Sequence, residues 1–265
     1  MRSVLAIDRL ARVAFARPLA LARVTFALVF LLRTTPVLAP FDPVFLRGTN
    51  GWLGWPDSGW HVPALGLALP AVVVGALVVI RTLAALALLF GVRWAGAVAG
   101  VAGYLVLAQD AFGYMHHLHM LMLGAILFAL IDDERIFLMR AFVASIYAWA
   151  AIGKLASEWG TGVPLTAFLE HGALDASLVG GVVAGRAAIV EIFVIVTEAA
   201  LAGCLLWPRT RRYALIAAFA LHAMFELVGR VDSIGWQMAA LLLVFTGSAP
   251  LRSDTRSSIA RTSHR

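Results

Sequence analysis

Long apolar runs alternate with short polar segments along the chain. Eight runs, near residues 18–39, 64–90, 94–111, 114–131, 136–155, 187–207, 213–229 and 232–248, approach the length of a membrane span. A hydrocarbon core of about 30 Å takes roughly 20 apolar residues in a helix, and backbone within it must satisfy its own hydrogen bonds. The pattern predicts an all-α transmembrane bundle of about eight spans over residues 18–250. Residues 1–17, with Arg2, Arg9 and Arg12 at near-helical spacing, read as a basic interfacial helix. A cleaved signal peptide is the competing reading, but Arg23 and Arg33 interrupt the first span and no small-residue cleavage site stands out. Residues 251–265 are Ser/Arg-rich and read as a disordered basic tail. No internal repeat or second domain is evident.

The basic residues set an orientation. Eight spans place Arg2, Arg9, Arg12, Arg17, Arg93, Arg135, Arg140, Arg209, Arg211, Arg212, Arg252, Arg256, Arg261 and Arg265 on one side. The opposite loops receive Arg47, Arg186 and Arg230, with Lys154 at a helix end. The positive-inside rule then predicts both termini in the cytoplasm. Two outer loops stand out: residues 40–63, with Trp52, Trp55 and Trp60, and residues 156–186, which hold a short interfacial or re-entrant helix.

Composition agrees. Hydrophobic residues make up 62% of the chain and charged ones 14%, with mean hydropathy +0.89. Soluble domains average about 45–50% and about 25%, so one water-soluble core is excluded as the home for this much apolar surface. The net charge of +6 does not point to nucleic acid, because the basic residues lie in short inter-span segments and form no continuous face. The single cysteine, Cys204, excludes an intrachain disulfide and a CxxC motif.

Given this orientation, ionisable residues crowd the outer half of the bundle. They include Arg33 in the first span, His116, His117 and His119 opening the fourth, and Lys154 closing the fifth with Glu158 one turn later. Glu191 and Glu198 lie on the sixth, His222 and Glu226 on the seventh, with Arg230 beyond. The inner half holds Arg23 and Arg81. A charge at membrane depth costs roughly 2.5–3.5 kcal/mol or more and normally faces a bundle interior. A polar cavity opening outward between the fourth and seventh spans is expected. Glu158, Glu226 and Arg230 also read as solvated helix ends, and the three histidines as interfacial. Lys154, beside Gly153 and Leu155, suits a buried amine, and burial favours the neutral, base form of an amine. His116 and His119 with His222 and Glu226 suggest a metal set only weakly: no HExxH or paired ExxH occurs, and a metal is not expected.

The stretch His116-His117-Leu118-His119-Met120-Leu121, with apolar residues on to Ile131-Asp132, resembles the Asn-His-x-x-Leu helix of the vitamin K-dependent γ-glutamyl carboxylase family. The stretch from Arg140 through Tyr147 and Trp149 to Lys154-Leu155 and Glu158-Trp159 resembles that family's Arg-led helix ending in Lys-Leu-x-x-Asp-Trp, and Gly162 to Leu165 matches a Gly-led segment. The broader group is the HTTM membrane domain. The likeness covers roughly residues 18–250 and is most specific over about 114–165. It implies Lys154 as the base that deprotonates a reduced quinone, vitamin K or similar, with His117 assisting. His116 stands where the family has asparagine, and Gly153 where it has a second lysine. The large lumenal region with which the carboxylase grips its peptide has no counterpart here. The resemblance therefore implies a lyase-like or quinol-linked reaction on a peptide or small molecule, with a separate subunit presenting the substrate.

The expectation is an enzyme of a bacterial inner membrane, with Lys154 and His117 catalytic. Arg33, His116, His119, Tyr147, Glu158, Trp159, Glu198, His222 and Glu226 are the candidate substrate-binding residues. The rival readings are a transporter, or a DoxX-like assembly or partner subunit, using the same cavity without chemistry.

Overall fold

The computed structural model of the protein describes residues 17–34, 69–108, 116–170, 180, 181, 183, 185–228 and 234–247. The expected interfacial helix at 1–17 (bar Arg17), the tryptophan-bearing loop at 40–63 and the tail at 251–265 lie outside the described residues. Described secondary structure is helical throughout: α1 Pro18–Thr34, α2 Ala71–Leu89, α3 Ala95–Leu107, α4 His116–Leu130, α5 Ile136–Leu155, α6 Val163–Glu170, α7 Ala187–Cys204, α8 Arg211–Val228 and α9 Ile234–Leu242. Short 3-10 turns at Asp133–Arg135 and Leu243–Phe245 precede α5 and extend α9.

Each predicted span contains one of these helices, and α6 falls in the second outer loop. Among the described residues, three helical stretches are long and apolar enough to cross a membrane: Val72–Leu89, Asp133–Leu155 and Ala187–Cys204. That is fewer than the eight spans read from hydropathy. The other helices fall short for identifiable reasons. The 13 residues of α3 rise only about 20 Å, α1 carries Arg23 and Arg33, and α8 opens on Arg211 and Arg212. The large apolar side chains left exposed on the longer helices, such as Val79 and Leu83 on α2 and Ile189, Phe193 and Val196 on α7, form a surface that suits hydrocarbon and not water. The protein is a membrane protein.

Local chemistry sets the breaks. After α2, Gly91 takes φ +91°, its N–H reaches the Leu88 carbonyl, and the N–H of Val92 reaches Ala87. This is a Schellman closure, which needs a residue comfortable at positive φ. Before α5, Oδ1 of Asp132 accepts from the N–H of Arg135 at 3.1 Å and caps the 3-10 turn.

Packing divides the chain into two packets. α3 lies between α2 and α4, whereas α5 packs on α7, with α6 and α8 against α7. α1 runs between the packets, touching α2, α4 and α9; its Phe26 and Phe30 are fully buried, and the Phe26 ring lies tilted against Phe128, with ring centroids 5.0 Å apart. Gly96, Gly100 and Gly103 allow α3 to approach α4 closely, since a Cβ at any of them would collide with Ala125, Met122 or Ile126. At the start of α5, Arg140 donates to the carbonyls of Val244 (2.9 Å) and Gly247 (3.3 Å), and Gly247 lies against Pro18. The starts of α1 and α5 and the end of the last helical segment thus share one end of the bundle. Lys154 closes the far end of α5.

Candidate functional site

Tyr147 and Lys154 sit seven residues apart on α5, so two turns of helix put both on one face. That face meets α7 and α8. The Lys154 amine donates to both carboxylate oxygens of Glu198, at 2.8 and 2.7 Å. Lys154 is one-fifth exposed and Glu198 buried. The amine also stands 5.2 Å from the centre of the Trp159 ring, a cation–π contact of about 0.5–2 kcal/mol. Deeper along α5, the Tyr147 hydroxyl hydrogen-bonds Nε2 of His222 at 2.8 Å. Both residues are buried, and Nδ1 of His222 has no hydrogen-bond partner among the described residues.

The loop above the ion pair is held by a residue that the sequence groups with Glu198. Glu191 is fully buried. Its Oε2 accepts from the N–H groups of Gly160 (2.7 Å) and Gly162 (2.8 Å), and its Oε1 from Leu165 (2.8 Å). Gly160 and Gly162 have φ of +96° and +87°, which turns their N–H groups toward one carboxylate. Leu165 lies in the first turn of α6, where N–H groups lack helical acceptors. Glu191 thus ties the α5–α6 loop and the start of α6 to α7, and the same loop carries Trp159. The seven-residue interval from Glu191 to Glu198 signals a shared face. It cannot show that one carboxylate binds backbone and the other an amine.

Five expected residues therefore converge: Lys154, Trp159, Glu198, Tyr147 and His222, from the fifth, sixth and seventh predicted spans and the loop between. α4, which carries the fourth-span histidines, packs chiefly on α3, with α1 also against it. His116 and His117 begin α4, but their side chains lie outside the described residues. His119 turns toward α3: its carbonyl accepts from the Tyr104 hydroxyl at 2.9 Å, and the two rings meet edge-on at 4.9 Å. Glu158 is exposed. Glu226 accepts from the N–H of Gly235 at 2.7 Å and joins α8 to α9. Arg33 is buried at the end of α1, beside Arg81 of α2. The sequence reading put Arg33 in the outer half and Arg81 in the inner half, whereas the two line one small cavity.

A cavity of about 590 Å3 opens between the start of α6 and the start of α7, lined by Thr161, Gly162, Thr166, Glu170 and Ala187 among others. It shares the Glu191-held loop with the ion pair but does not include it. Among the described residues no three His, Cys, Asp or Glu side chains gather as a metal site requires.

The family model for the HTTM domain matches residues 134–249, in accord with the resemblance read from the sequence. The matched region holds Lys154, Trp159, Glu191, Glu198, Tyr147 and His222; Arg33 and the three histidines of α4 precede it. No curated protein and no solved structure matches the chain.

Proposed function

We propose, from the premise that this is a membrane protein carrying an HTTM domain over residues 134–249, that it is an intramembrane enzyme coupling quinol oxidation to proton abstraction from, or modification of, a peptide or small molecule. The observation that carries this reading is the Lys154–Glu198 pair, held at 2.7–2.8 Å inside the bundle beneath an indole ring. Ammonium with carboxylate, and amine with carboxylic acid, hold the same number of protons. The pair is neutral in either form and can take up one proton more, ending as ammonium beside carboxylic acid. The base is therefore the pair, with the carboxylate oxygens of Glu198 as the final proton site and Lys154 as its partner. This refines the expectation of Lys154 as the base with His117 assisting.

The donor set suits a quinol hydroxyl. An amine and a carboxylate converge, the amine retains an exposed edge, and Trp159 offers an aromatic face for ring stacking. A bound quinol would supply two electrons, and molecular oxygen, the co-substrate, would accept them. Lys154 and Glu198 orient the hydroxyl and take its proton, and Trp159 limits water at Nζ so that the proton site is not levelled by solvent. Tyr147 and His222 form a second hydrogen-bonded pair on the same face, suited to returning a proton. His117 is the proposed helper from α4. A separate substrate-presenting subunit and a bacterial inner membrane complete the proposal.

Purified protein in lipid nanodiscs, supplied with reduced menaquinone and oxygen, is the test. Quinol oxidation is expected in the wild type and should fall by about 100-fold or more in Lys154→Ala, the usual scale for losing a general base. Unchanged turnover in that variant removes the proton-accepting pair from the mechanism. No turnover by the wild type, with solute flux into sealed vesicles instead, would transfer the site to a transporter.

A further inference from the structure

The end of the bundle away from the ion pair carries a concentrated basic surface that the proposed chemistry does not use. Between Glu198 and Glu226 the chain has no acidic residue, and around the α7–α8 turn Arg209, Arg211 and Arg212 fall within four positions. Arg140 adds a fourth guanidinium within electrostatic reach of Arg211, although it is itself buried and donates to the Val244 and Gly247 carbonyls. From Arg140 to Lys154, α5 rises about 20 Å, so this surface is remote from the ion pair. Helix capping accounts for one of the three turn arginines. Arg211 donates from Nε to the Leu205 carbonyl at 3.2 Å and from Nη2 to Leu206 at 3.4 Å, where the C-terminal end of α7 favours a cation. Arg209 and Arg212 flank the start of α8 and are exposed, and there the dipole of α8 opposes positive charge. Two exposed aromatic side chains, Trp207 and Tyr213, accompany them. Such rings are enriched at the headgroup level of a membrane, where anionic lipids attract basic residues. Phosphate oxygens match a guanidinium fork, and Leu206 and Ile216, exposed beside the arginines, offer apolar surface for acyl chains.

We propose that the α7–α8 turn, with the first residues of α8, binds the headgroup of an anionic phospholipid. Arg209 and Arg212 are the phosphate ligands, and Trp207 and Tyr213 fix the depth of the turn in the headgroup layer. Arg140 and Arg211, each held by backbone carbonyls, supply positive charge behind them. The proposal does not rest on the quinol reading.

The test is native mass spectrometry of the full chain in detergent, titrated in parallel with dioleoylphosphatidylglycerol and dioleoylphosphatidylcholine. The wild type is expected to bind the phosphatidylglycerol about ten-fold or more tightly than its zwitterionic counterpart. Arg209→Gln with Arg212→Gln should lose about ten-fold of that preference, the scale of two basic residues at an anionic surface. If the double variant does not fold, Arg209→Gln alone, in the turn before α8, should lose several-fold. Arg93→Gln, an exposed arginine of the α2–α3 turn, should bind both lipids as wild type does, and inorganic phosphate should not displace the lipid. Absence of a preference in wild type overturns the proposal, as does an unchanged preference in the Arg209 and Arg212 variants. An equal loss in Arg93→Gln overturns it by showing diffuse surface charge, and displacement by inorganic phosphate by showing a site for free anions. A preference that emerges only in Asp254→Asn overturns it too, by assigning the counter-charge to the chain itself.

Discussion

At the scale of single residues, the bundle spends its polar groups in pairs. Lys154 with Glu198, and Tyr147 with His222, satisfy one another across helices. Removing one member of a buried ion pair typically costs about 3–5 kcal/mol, whereas replacing both with apolar residues is often neutral. Glu198→Ala is therefore expected to lower unfolding stability in detergent by that amount, and Lys154→Met with Glu198→Leu to recover most of it. Neither should turn over quinol, so the pair of variants separates fold from chemistry. Lys154 was legible from the sequence because an amine beside Gly153 and among apolar residues is unusual. Its partner was not. The 44 residues between them exceed any within-helix periodicity, and only the antiparallel packing of α5 and α7 selects Glu198 over Glu191.

At the scale of elements, one side chain organises the α5–α6 loop. Glu191→Ala would leave three N–H groups without acceptors, at about 1–3 kcal/mol for each one that stays dry. It is expected to release the loop, which faster limited proteolysis between residues 156 and 165 would report, and to free Trp159 from Lys154. Glu191→Gln keeps one acceptor oxygen and should be milder. Gly162→Ala should act in the same direction, since φ of +87° and the closeness of Ala188 both oppose a Cβ. Helix positions were legible in all eight apolar runs, because membrane helices announce themselves by hydropathy. Helix ends were less so. Gly91 ends α2 through a backbone conformation, which no hydropathy pattern carries.

At the scale of the whole molecule, the orientation expected from the basic residues is open to direct test. Cys204 is the only cysteine, so a Cys204→Ser background permits single-site labelling. Glu158 and Arg135 are both exposed, beyond opposite ends of α5. Glu158→Cys is expected to react with an impermeant thiol reagent added outside intact cells, and Arg135→Cys only after the cells are opened. The reverse pattern would invert the bundle. The sequence also anticipated that polar residues gather inside, but merged two groups into one. Depth along each helix is readable from a sequence, whereas which helices are neighbours is decided by contacts such as the glycine stripe that commits α4 to α3.

The long separation between the two halves of the ion pair bears on how the protein is made. Ribosomes deliver Lys154 to the membrane well before Glu198 exists, so an ammonium must wait in or near lipid with no counter-ion. The membrane insertion machinery, or the headgroup layer, has to shelter the end of α5 during that interval. Nascent chains arrested before α7 emerges should still crosslink to the insertion channel through α5, and longer ones should let go.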